Sequence, residues 1–287
     1  MFKYILYKFG LFLLHHLPRA ISYKLAAFIS GTQYYFSFRD RRAVKNNLRN
    51  ILPSVKNISP LAREVFRNFG RYLIEFFQMK EMVDEQFVKK NVTAQGIDHL
   101  DKVLKEGKGG IIVTAHIGNW ELGGAFLNVL GYPLIAVALP HKERPVNDLF
   151  NDQREHKGVT IIPTHGAMRQ CIEQLKNNKL VALVADRDFG KNGLTMNFLG
   201  HKMIVPKGPA ILSLSTEAPI LPMFCIRQTD ASFALSCCEP IYPPKGIHTE
   251  IKPEMMEALM RRYLSVIEEK IRAYPSQWLL FREFAVK

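Results

Sequence analysis

The sequence predicts an α/β fold in which helices flank a mostly parallel central sheet. From about residue 88 onward, short apolar runs alternate with helical stretches, a pattern that is typical of βαβ units. The apolar runs are nearly continuous, as expected for parallel strands buried on both faces. The chain of 287 residues is long enough to bury a sizeable core. Six strands are predicted, at 109–115, 134–139, 159–162, 180–185, 219–226 and 232–238.

Helices are predicted between these strands, before the first strand and after the last one. They lie near 97–106, 119–130, 145–157, 167–177, 207–216 and 251–273. Earlier in the chain, apolar residues recur with helical period between about 61 and 80. Ser59 and Pro60 before them predict the N-cap and the first helical position. The polar face of this helix is expected to hold Arg63, Glu64, Arg67, Arg71 and Glu75.

Residues 1–50 differ from the rest of the chain because they are both basic and apolar. They contain nine Lys or Arg and one acid, Asp40, a net charge of +8 out of +13 for the whole chain. Their apolar runs are interrupted and short of the roughly 20 residues that a bilayer span needs, and no clean cleavage site indicates a secretory signal. We predict a membrane-anchoring segment at 1–50 that lies in the interface, ahead of a catalytic domain at 51–287. A transmembrane helix, or two core helices with a solvated basic face, are the alternatives.

The basic composition favours an anionic partner. Nucleic acid, an anionic membrane surface and an acidic protein all fit such a charge. No nucleic-acid-binding motif is present, and basic residues interleaved with apolar runs suit lipid better, so no nucleic acid is expected. The four cysteines include no CxxC pair, so neither a metal site nor a disulfide framework is predicted, and a reducing cytoplasmic setting fits. We expect no cofactor.

The stretch "AHIGNWE" carries the candidate chemistry. His116 follows the predicted strand 109–115 directly, and ligands of open α/β sheets bind at the carboxyl ends of the strands. The free N–H groups of the next helix can stabilise negative charge there. Glu121 is five positions on, and in one continuous helix the two side chains would point about 140° apart. They can meet only if His116 lies in the turn before the helix, which Gly118 makes easy.

A second acidic strand end offers another partner. Asp186, Arg187 and Asp188 follow the predicted strand 180–185. A carboxylate of Glu121 or Asp186 can accept a hydrogen bond from one imidazole nitrogen and leave the other to take a substrate proton. A purely structural histidine is the plain alternative. Zinc is not favoured because the HExxH spacing is absent, and the GxSxG, Walker A and GxGxxG motifs are also missing.

Several motifs together resemble a known family. They are "NNLRNILP", "FRNFGRYLIEFF", "GKGGIIVTAHIGNWELGG", "DRDFGKNGLTMNFLG", "PKGPA" and "YPSQWLLFREF". With them the chain resembles, over nearly its whole length, the bacterial late acyltransferases of lipid A biosynthesis, of the lauroyl or myristoyl type, within the lysophospholipid acyltransferase superfamily. It also resembles relatives that acylate mannosylated phosphatidylinositol. The resemblance implies a glycerophosphate-acyltransferase-like fold with N-terminal membrane-associating helices.

The resemblance also implies roles for single residues. His116 matches the general base that takes a proton from an acceptor hydroxyl, which then attacks a thioester. Glu121 matches the family carboxylate that orients or polarises this histidine. Asp186 stands where the mannoside-acylating relatives have a carboxylate bonded to the histidine. Arg154 matches an arginine of the acceptor or donor pocket.

Further substrate-binding candidates are Asn119, Arg187 and Lys207. Lys207, in "PKGPA" at a predicted helix start, is a candidate contact for phosphate, and "NLRN" with the neighbouring arginines is a candidate acceptor site. Two positions depart from the family: Leu139 replaces a glutamate of the relatives, and Leu280 replaces a tryptophan of many lipid A enzymes. The "EGTR" motif of the phosphatidic-acid branch is missing, which argues against a simple glycerophosphate acceptor.

The sequence thus predicts a membrane-associated acyltransferase. It is expected to move a fatty acyl chain from acyl carrier protein or coenzyme A to a hydroxyl of a lipid A precursor, at the cytoplasmic face of a bacterial inner membrane. The acidity of acyl carrier protein and the phosphates of the acceptor both suit the positive charge. The alternatives are an acyltransferase for another glycolipid, such as mannosylated phosphatidylinositol, and a non-catalytic membrane-binding protein.

Overall fold

The computed structural model describes residues 4, 5, 7, 8, 10, 11, 16–188, 193–244 and 252–285. Helices that precede the sheet are α1 (Arg19–Phe36), α2 (Phe38–Ile51), α3 (Ser59–Met82) and α4 (Glu85–Asn91). The strands are β1 (Val92–Gln95), β2 (Gly110–Thr114), β3 (Leu134–Ala138), β4 (Thr160–Pro163), β5 (Leu180–Val184), β6 (Leu194–Phe198), β7 (His201–Val205), β8 (Ile220–Arg227) and β9 (Phe233–Cys237). The later helices are α5 (Asp98–Lys105), α6 (Trp120–Val129), α7 (Arg144–Glu155), α8 (Ala167–Lys176), α9 (Gly208–Thr216) and α10 (Pro253–Ala273), followed by a 3₁₀ turn at Pro275–Gln277.

The central sheet has seven strands in the order β1-β9-β8-β2-β5-β3-β4. Neighbouring strands are parallel except for the antiparallel pair β8 and β9. β6 and β7 form a separate antiparallel ribbon. The predicted α/β class with a mostly parallel sheet is therefore confirmed. Because β2 and β5 are adjacent and parallel, the residues that follow them meet at the same edge of the sheet.

The six predicted strands and the predicted helices are all present, with bounds that differ by one or two residues. The sequence missed β1, β6 and β7. β1 is short and largely exposed, so it lacks an apolar run. β6 and β7 are joined by Leu199 and Gly200, both with positive φ, and a leucine there hides the usual turn signal of a hairpin.

Two predictions about α3 are wrong. Ser59 is the first helical residue and Ile58 is the N-cap, while the Asn57 side chain accepts the Ser59 backbone N–H at 3.2 Å. Glu75 does not lie on a solvated polar face, because it is 0% exposed. Its position, three residues after Tyr72 and four before Met79, puts it on the buried stripe of the helix.

Both faces of β2 are buried. Ile111 and Val113 join one core cluster, which also contains residues of α9 and α10. Ile112 points the other way, into a cluster that includes Phe76 of α3 and Phe126 of α6. The sheet is thus the middle of three layers, and its central strand carries the site at its carboxyl end.

The N-terminal helices attach to the other side of α3. Tyr34 of α1 contacts Phe66 of α3 edge to face, with ring centroids 5.5 Å apart, and Val44 and Leu48 of α2 share that cluster. Much of the first apolar run, at 1–15, lies outside the described residues. Among the helices that the structure describes, none combines the length and the apolar character required to span a membrane.

Candidate active site

His116 lies in the turn between β2 and α6, before the helix begins. β2 ends at Thr114, and Asn119 is the N-cap residue of α6. Gly118 has a φ of +63°, and a Cβ at this position would lie 2.0 Å from the backbone oxygen of Cys225. The turn therefore depends on glycine at 118.

Asp186 holds His116 from the end of the neighbouring strand. Its Oδ1 lies 2.7 Å from His116 Nδ1, and its Oδ2 accepts the His116 backbone N–H at 3.1 Å. Burial by itself would raise the pKa of Asp186, but the charge and hydrogen bonds of His116, together with the Trp278 N–H, hold this pKa below its usual value. The carboxylate therefore stays ionised beside the imidazole.

The C-terminal segment forms hydrogen bonds with this turn and with Asp186. Trp278 Nε1 donates to Asp186 Oδ2 at 2.7 Å. The backbone N–H of Leu279 donates to the His116 carbonyl at 2.7 Å, and that of Gly118 donates to the Gln277 carbonyl at 3.0 Å. No role of its own was predicted for Trp278, although it lies within the motif "YPSQWLLFREF" near the C-terminus.

Glu121 has a different partner from the predicted one. Its two carboxylate oxygens accept hydrogen bonds from Arg154, at 2.9 Å from Nε and at 2.7 Å from a terminal nitrogen. Both side chains are 12% exposed. Burial would lower the pKa of Arg154, but Glu121 raises it above its usual value. Of the two carboxylates predicted as partners of His116, Asp186 forms the hydrogen bond with the imidazole, whereas Glu121 bonds Arg154.

Asn119 serves the fold rather than a substrate. It is 0% exposed, so the predicted substrate contact is wrong. Its side-chain oxygen accepts the Leu122 backbone N–H at 3.1 Å, and its side-chain nitrogen donates to Glu75 Oε2 at 2.7 Å. The residue therefore ties the N-terminus of α6 to α3.

A buried ion pair lies behind Asn119. Arg227, at the end of β8, donates to both oxygens of Glu75, and the bond to Oε2 is 2.5 Å long. Tyr23 of α1 donates to Glu75 Oε1 at 2.6 Å, and Gln277 Nε2 donates to the Arg227 carbonyl at 2.8 Å. This network connects α1, α3, α6, β8 and the C-terminal turn, and the sequence did not predict it.

A cavity of about 1250 Å³ opens at His116. One wall is aromatic and contains Phe69, Tyr72, Trp120, Phe150 and Phe281. Tyr72 and Trp120 are stacked with centroids 4.6 Å apart, and Trp120 meets the His116 ring edge to face at 4.9 Å. The lining also contains four arginines, Arg39, Arg42, Arg187 and Arg282. The cavity at the histidine thus has both aromatic and cationic lining residues.

The remaining predicted contacts fall into two groups. Arg187 lines the cavity, and burial and the charge of Arg282 lower the pKa of its guanidinium. Lys207 is the partly exposed N-cap residue of α9 and is not among the described residues that line the cavity. In "NLRN", Asn47 is buried and donates to the Leu280 and Arg282 carbonyls at 3.2 and 2.8 Å. Asn47 therefore joins α2 to the C-terminal segment.

A histidine backed by a buried carboxylate, at the edge of a parallel sheet and beside a large cavity with aromatic and cationic lining residues, is an arrangement that suits group transfer. The chain matches the family described as bacterial lipid A biosynthesis acyltransferase over residues 1–284. It belongs to this family, and it is an acyltransferase. The alternative of a non-catalytic membrane-binding protein is therefore wrong.

The names of individual relatives refer to two different substrates. The phosphatidylinositol mannoside acyltransferase of Mycobacterium tuberculosis (strain CDC 1551 / Oshkosh) is 31% identical, over 88% of this chain and 79% of the relative. That of Mycolicibacterium smegmatis is 26% identical, over 95% and 88%. The lipid A biosynthesis palmitoleoyltransferase of Escherichia coli K12 is 25% identical, over 99% and 92%.

Proposed function

We propose that the protein moves a fatty acyl chain from an acyl thioester, on acyl carrier protein or coenzyme A, to a hydroxyl of a glycolipid. His116 is the general base. The observation that carries this proposal is the hydrogen bond between His116 Nδ1 and the buried Asp186 carboxylate. Because Nδ1 carries the proton that faces Asp186, neutral His116 has its basic lone pair on Nε2.

The reaction follows from that tautomer. Nε2 takes the proton of the acceptor hydroxyl as its oxygen attacks the thioester carbonyl carbon. The tetrahedral intermediate then expels the thiolate, which takes the proton back from the imidazolium. Asp186 stabilises the transient imidazolium without taking its proton. The N-terminus of α6 lies beside His116 and favours negative charge on the tetrahedral oxygen.

Glu121 supports the cavity rather than the proton transfer. Its ion pair fixes Arg154, whose guanidinium lies 5.7 Å from the centroid of Phe76 and 5.9 Å from that of Phe150. Phe150 belongs to the aromatic wall. We assign that wall to the acyl chain, because a hydrocarbon gains roughly 25 cal/mol for each Å² of apolar surface removed from water.

Two acceptors are favoured by different observations. A lipid A precursor is favoured by the family match over residues 1–284. Mannosylated phosphatidylinositol is favoured by the relative with 31% identity, which is named for that substrate. Both are glycolipids with a sugar hydroxyl and a phosphate.

Mass spectrometry of products tests the function. The purified protein is incubated with acyl-carrier and coenzyme A thioesters and with each acceptor, beside His116→Ala. We expect an acylated glycolipid from the wild type, and a rate about 10² to 10⁴ lower for the variant. His156→Ala is the matched control, because His156 is exposed and is not among the described residues that line the cavity. Equal rates for the wild type and His116→Ala contradict the mechanism.

The surface of α1 supports docking on an anionic membrane, in keeping with a place at the cytoplasmic face of a bacterial inner membrane. Ile21, Leu25, Phe28 and Ile29 are exposed at helical spacing, and Phe28 is 68% exposed. Phe36 follows at 80%, and basic residues surround this stripe in a segment of net charge +8. Such a surface suits insertion into the interface.

Sedimentation with vesicles of phosphatidylglycerol and phosphatidylethanolamine tests the docking. The double variant Phe28→Ser/Phe36→Ser should bind these vesicles about tenfold or more weakly, because two aromatic side chains no longer leave water. Met168→Ser, an exposed apolar position on α8, is the matched control. If the double variant binds the vesicles as strongly as the wild type, the exposed apolar residues of α1 are not the membrane-binding surface.

A further inference from the structure

Two consecutive residues near the C-terminus bond both members of the His116–Asp186 pair. Trp278 Nε1 donates to Asp186 Oδ2 at 2.7 Å. The Leu279 backbone N–H donates to the His116 carbonyl, also at 2.7 Å. Both residues belong to the C-terminal segment (276–284), so the position of this segment affects the geometry of the general base.

Gln277 attaches the start of the C-terminal segment to the end of β8. Its side-chain oxygen accepts the Arg227 backbone N–H at 3.1 Å, and its side-chain nitrogen donates to the Arg227 carbonyl at 2.8 Å. One side-chain amide thus satisfies both backbone groups of the last residue of the strand. The Gln277 carbonyl in turn accepts the Gly118 backbone N–H at 3.0 Å. Gln277 therefore joins β8 to the turn that carries His116.

Other hydrogen bonds keep the C-terminal segment on the protein when Gln277 is replaced. Asn68 of α3 donates to the Ser276 carbonyl at 2.9 Å, and Asn47 of α2 donates to the Arg282 carbonyl at 2.8 Å. Loss of the Gln277 side chain removes the attachment to β8 but leaves these two. We therefore expect a small shift of the segment rather than its release.

A small shift of the C-terminal segment is enough to affect the reaction. Asp186 Oδ2 accepts hydrogen bonds from Trp278 and from the His116 backbone N–H, while Oδ1 bonds the imidazole. A movement of Trp278 is therefore transmitted through one carboxylate to the ring of the general base. A misplacement of about 1 Å at a reacting group can lower a rate on the order of 10²-fold.

We propose that Gln277 is a positioning residue for the His116–Asp186 pair. Gln277 is not among the described residues that line the cavity at His116, so it acts through Trp278 rather than on a substrate. This inference rests on the proposed function, because the geometry that it concerns is that of the general base.

Steady-state kinetics of Gln277→Ala tests the proposal. We expect kcat to fall about threefold to tenfold, because the general base is held less well. KM for each substrate should stay within about twofold of the wild type, because no contact with a substrate is removed. A raised KM with an unchanged kcat assigns Gln277 to substrate binding and overturns the proposal.

Asn178→Ala is the matched control. The Asn178 side chain also bonds two backbone groups, the Gly109 N–H and the Leu104 carbonyl, each at 2.9 Å, but it does so at the opposite end of β2. Urea denaturation should show that both variants lose stability, and only Gln277→Ala should lose kcat. An equal fall of kcat in the two variants means a general effect of stability and overturns the proposal.

A double variant shows whether Gln277 acts through Trp278. Trp278→Phe removes the N–H that bonds Asp186. If Gln277 places this N–H, Gln277→Ala should lower kcat by a smaller factor in the Trp278→Phe background than in the wild type. Equal factors in the two backgrounds indicate independent sites and overturn the proposal.

Hydrogen exchange followed by mass spectrometry tests the same attachment without acyl transfer. The amides of Gly118 and Leu279 form the bonds between the turn and the C-terminal segment, so peptides that contain them should exchange faster in Gln277→Ala than in the wild type. Unchanged exchange overturns the proposal. If the wild type itself transfers no acyl chain, the proposed function fails, and the exchange rates still decide whether Gln277 fixes the segment.

Discussion

Two buried carboxylates bond residues of the segment between β2 and α6, Asp186 at His116 and Glu75 at Asn119, and they differ in the cation that each one faces. Glu75 is paired with Arg227, which keeps its charge at every physiological pH. Asp186 is paired with the imidazole of His116, the group that takes the substrate proton in the proposed reaction. The Glu75–Arg227 pair can only stabilise the structure. The Asp186–His116 pair can also stabilise the positive charge that His116 gains when it takes a proton.

The same distinction separates the two candidate partners of His116. Glu121 lies within the motif but is already neutralised by Arg154. Asp186 is 70 residues away in the chain, yet it bonds the imidazole. Proximity in sequence therefore does not show which carboxylate contacts His116.

The largest expected effect is on the Glu75 side and concerns stability. Arg227→Met leaves Glu75 buried without its cation, which should lower the free energy of unfolding by about 3–5 kcal/mol. Urea denaturation followed by circular dichroism measures this. Glu75→Gln/Arg227→Met should recover part of the loss, because no charge then stays buried. If Arg227→Met is as stable as the wild type, Glu75 does not depend on the buried ion pair with Arg227.

The Asp186 side should show its effect in the pH dependence of stability. The pKa of Asp186 is lower in the folded protein than its usual value, so its contribution is present above the unfolded pKa of about 3.9 and is lost as the pH falls through the folded pKa. Asp186→Asn lacks this contribution. The stability difference between the wild type and Asp186→Asn, from urea titrations between about pH 6 and 3, should therefore shrink toward the acid end. A difference that stays constant would contradict the assignment.

The smallest expected effect comes from the third partner of Asp186. Trp278→Phe keeps an aromatic ring but removes the N–H that donates to Asp186 Oδ2. A hydrogen bond to a charged group contributes about 1.5–3 kcal/mol, so kcat should fall roughly tenfold or more with little change in KM. Trp120→Phe, which leaves the Asp186 bonds intact, should change KM more than kcat. The opposite pattern would assign Trp278 to substrate binding.

The sequence predicted what depends on local patterns. Continuous apolar runs identified the six main strands, and strand ends identified His116 and Asp186, because the order of parallel strands brings such ends together. It did not predict Trp278 or the Glu75–Arg227 pair, whose partners are 92 and 152 residues apart. Glu75 was assigned to solvent because glutamate is usually exposed, and only the position of Arg227 at the end of β8 shows why it is not.

A rate comparison between Asp186→Asn and Glu121→Gln, with His116→Ala as the inactive reference, tests the central claim most directly. Each variant keeps the size of its side chain and removes one carboxylate charge. Acyl transfer is measured by mass spectrometry at saturating substrate concentrations. We expect Asp186→Asn to lose about 10² or more in kcat, and Glu121→Gln to lose much less. The reverse order, with Glu121→Gln as slow as His116→Ala and Asp186→Asn near the wild type, would contradict it.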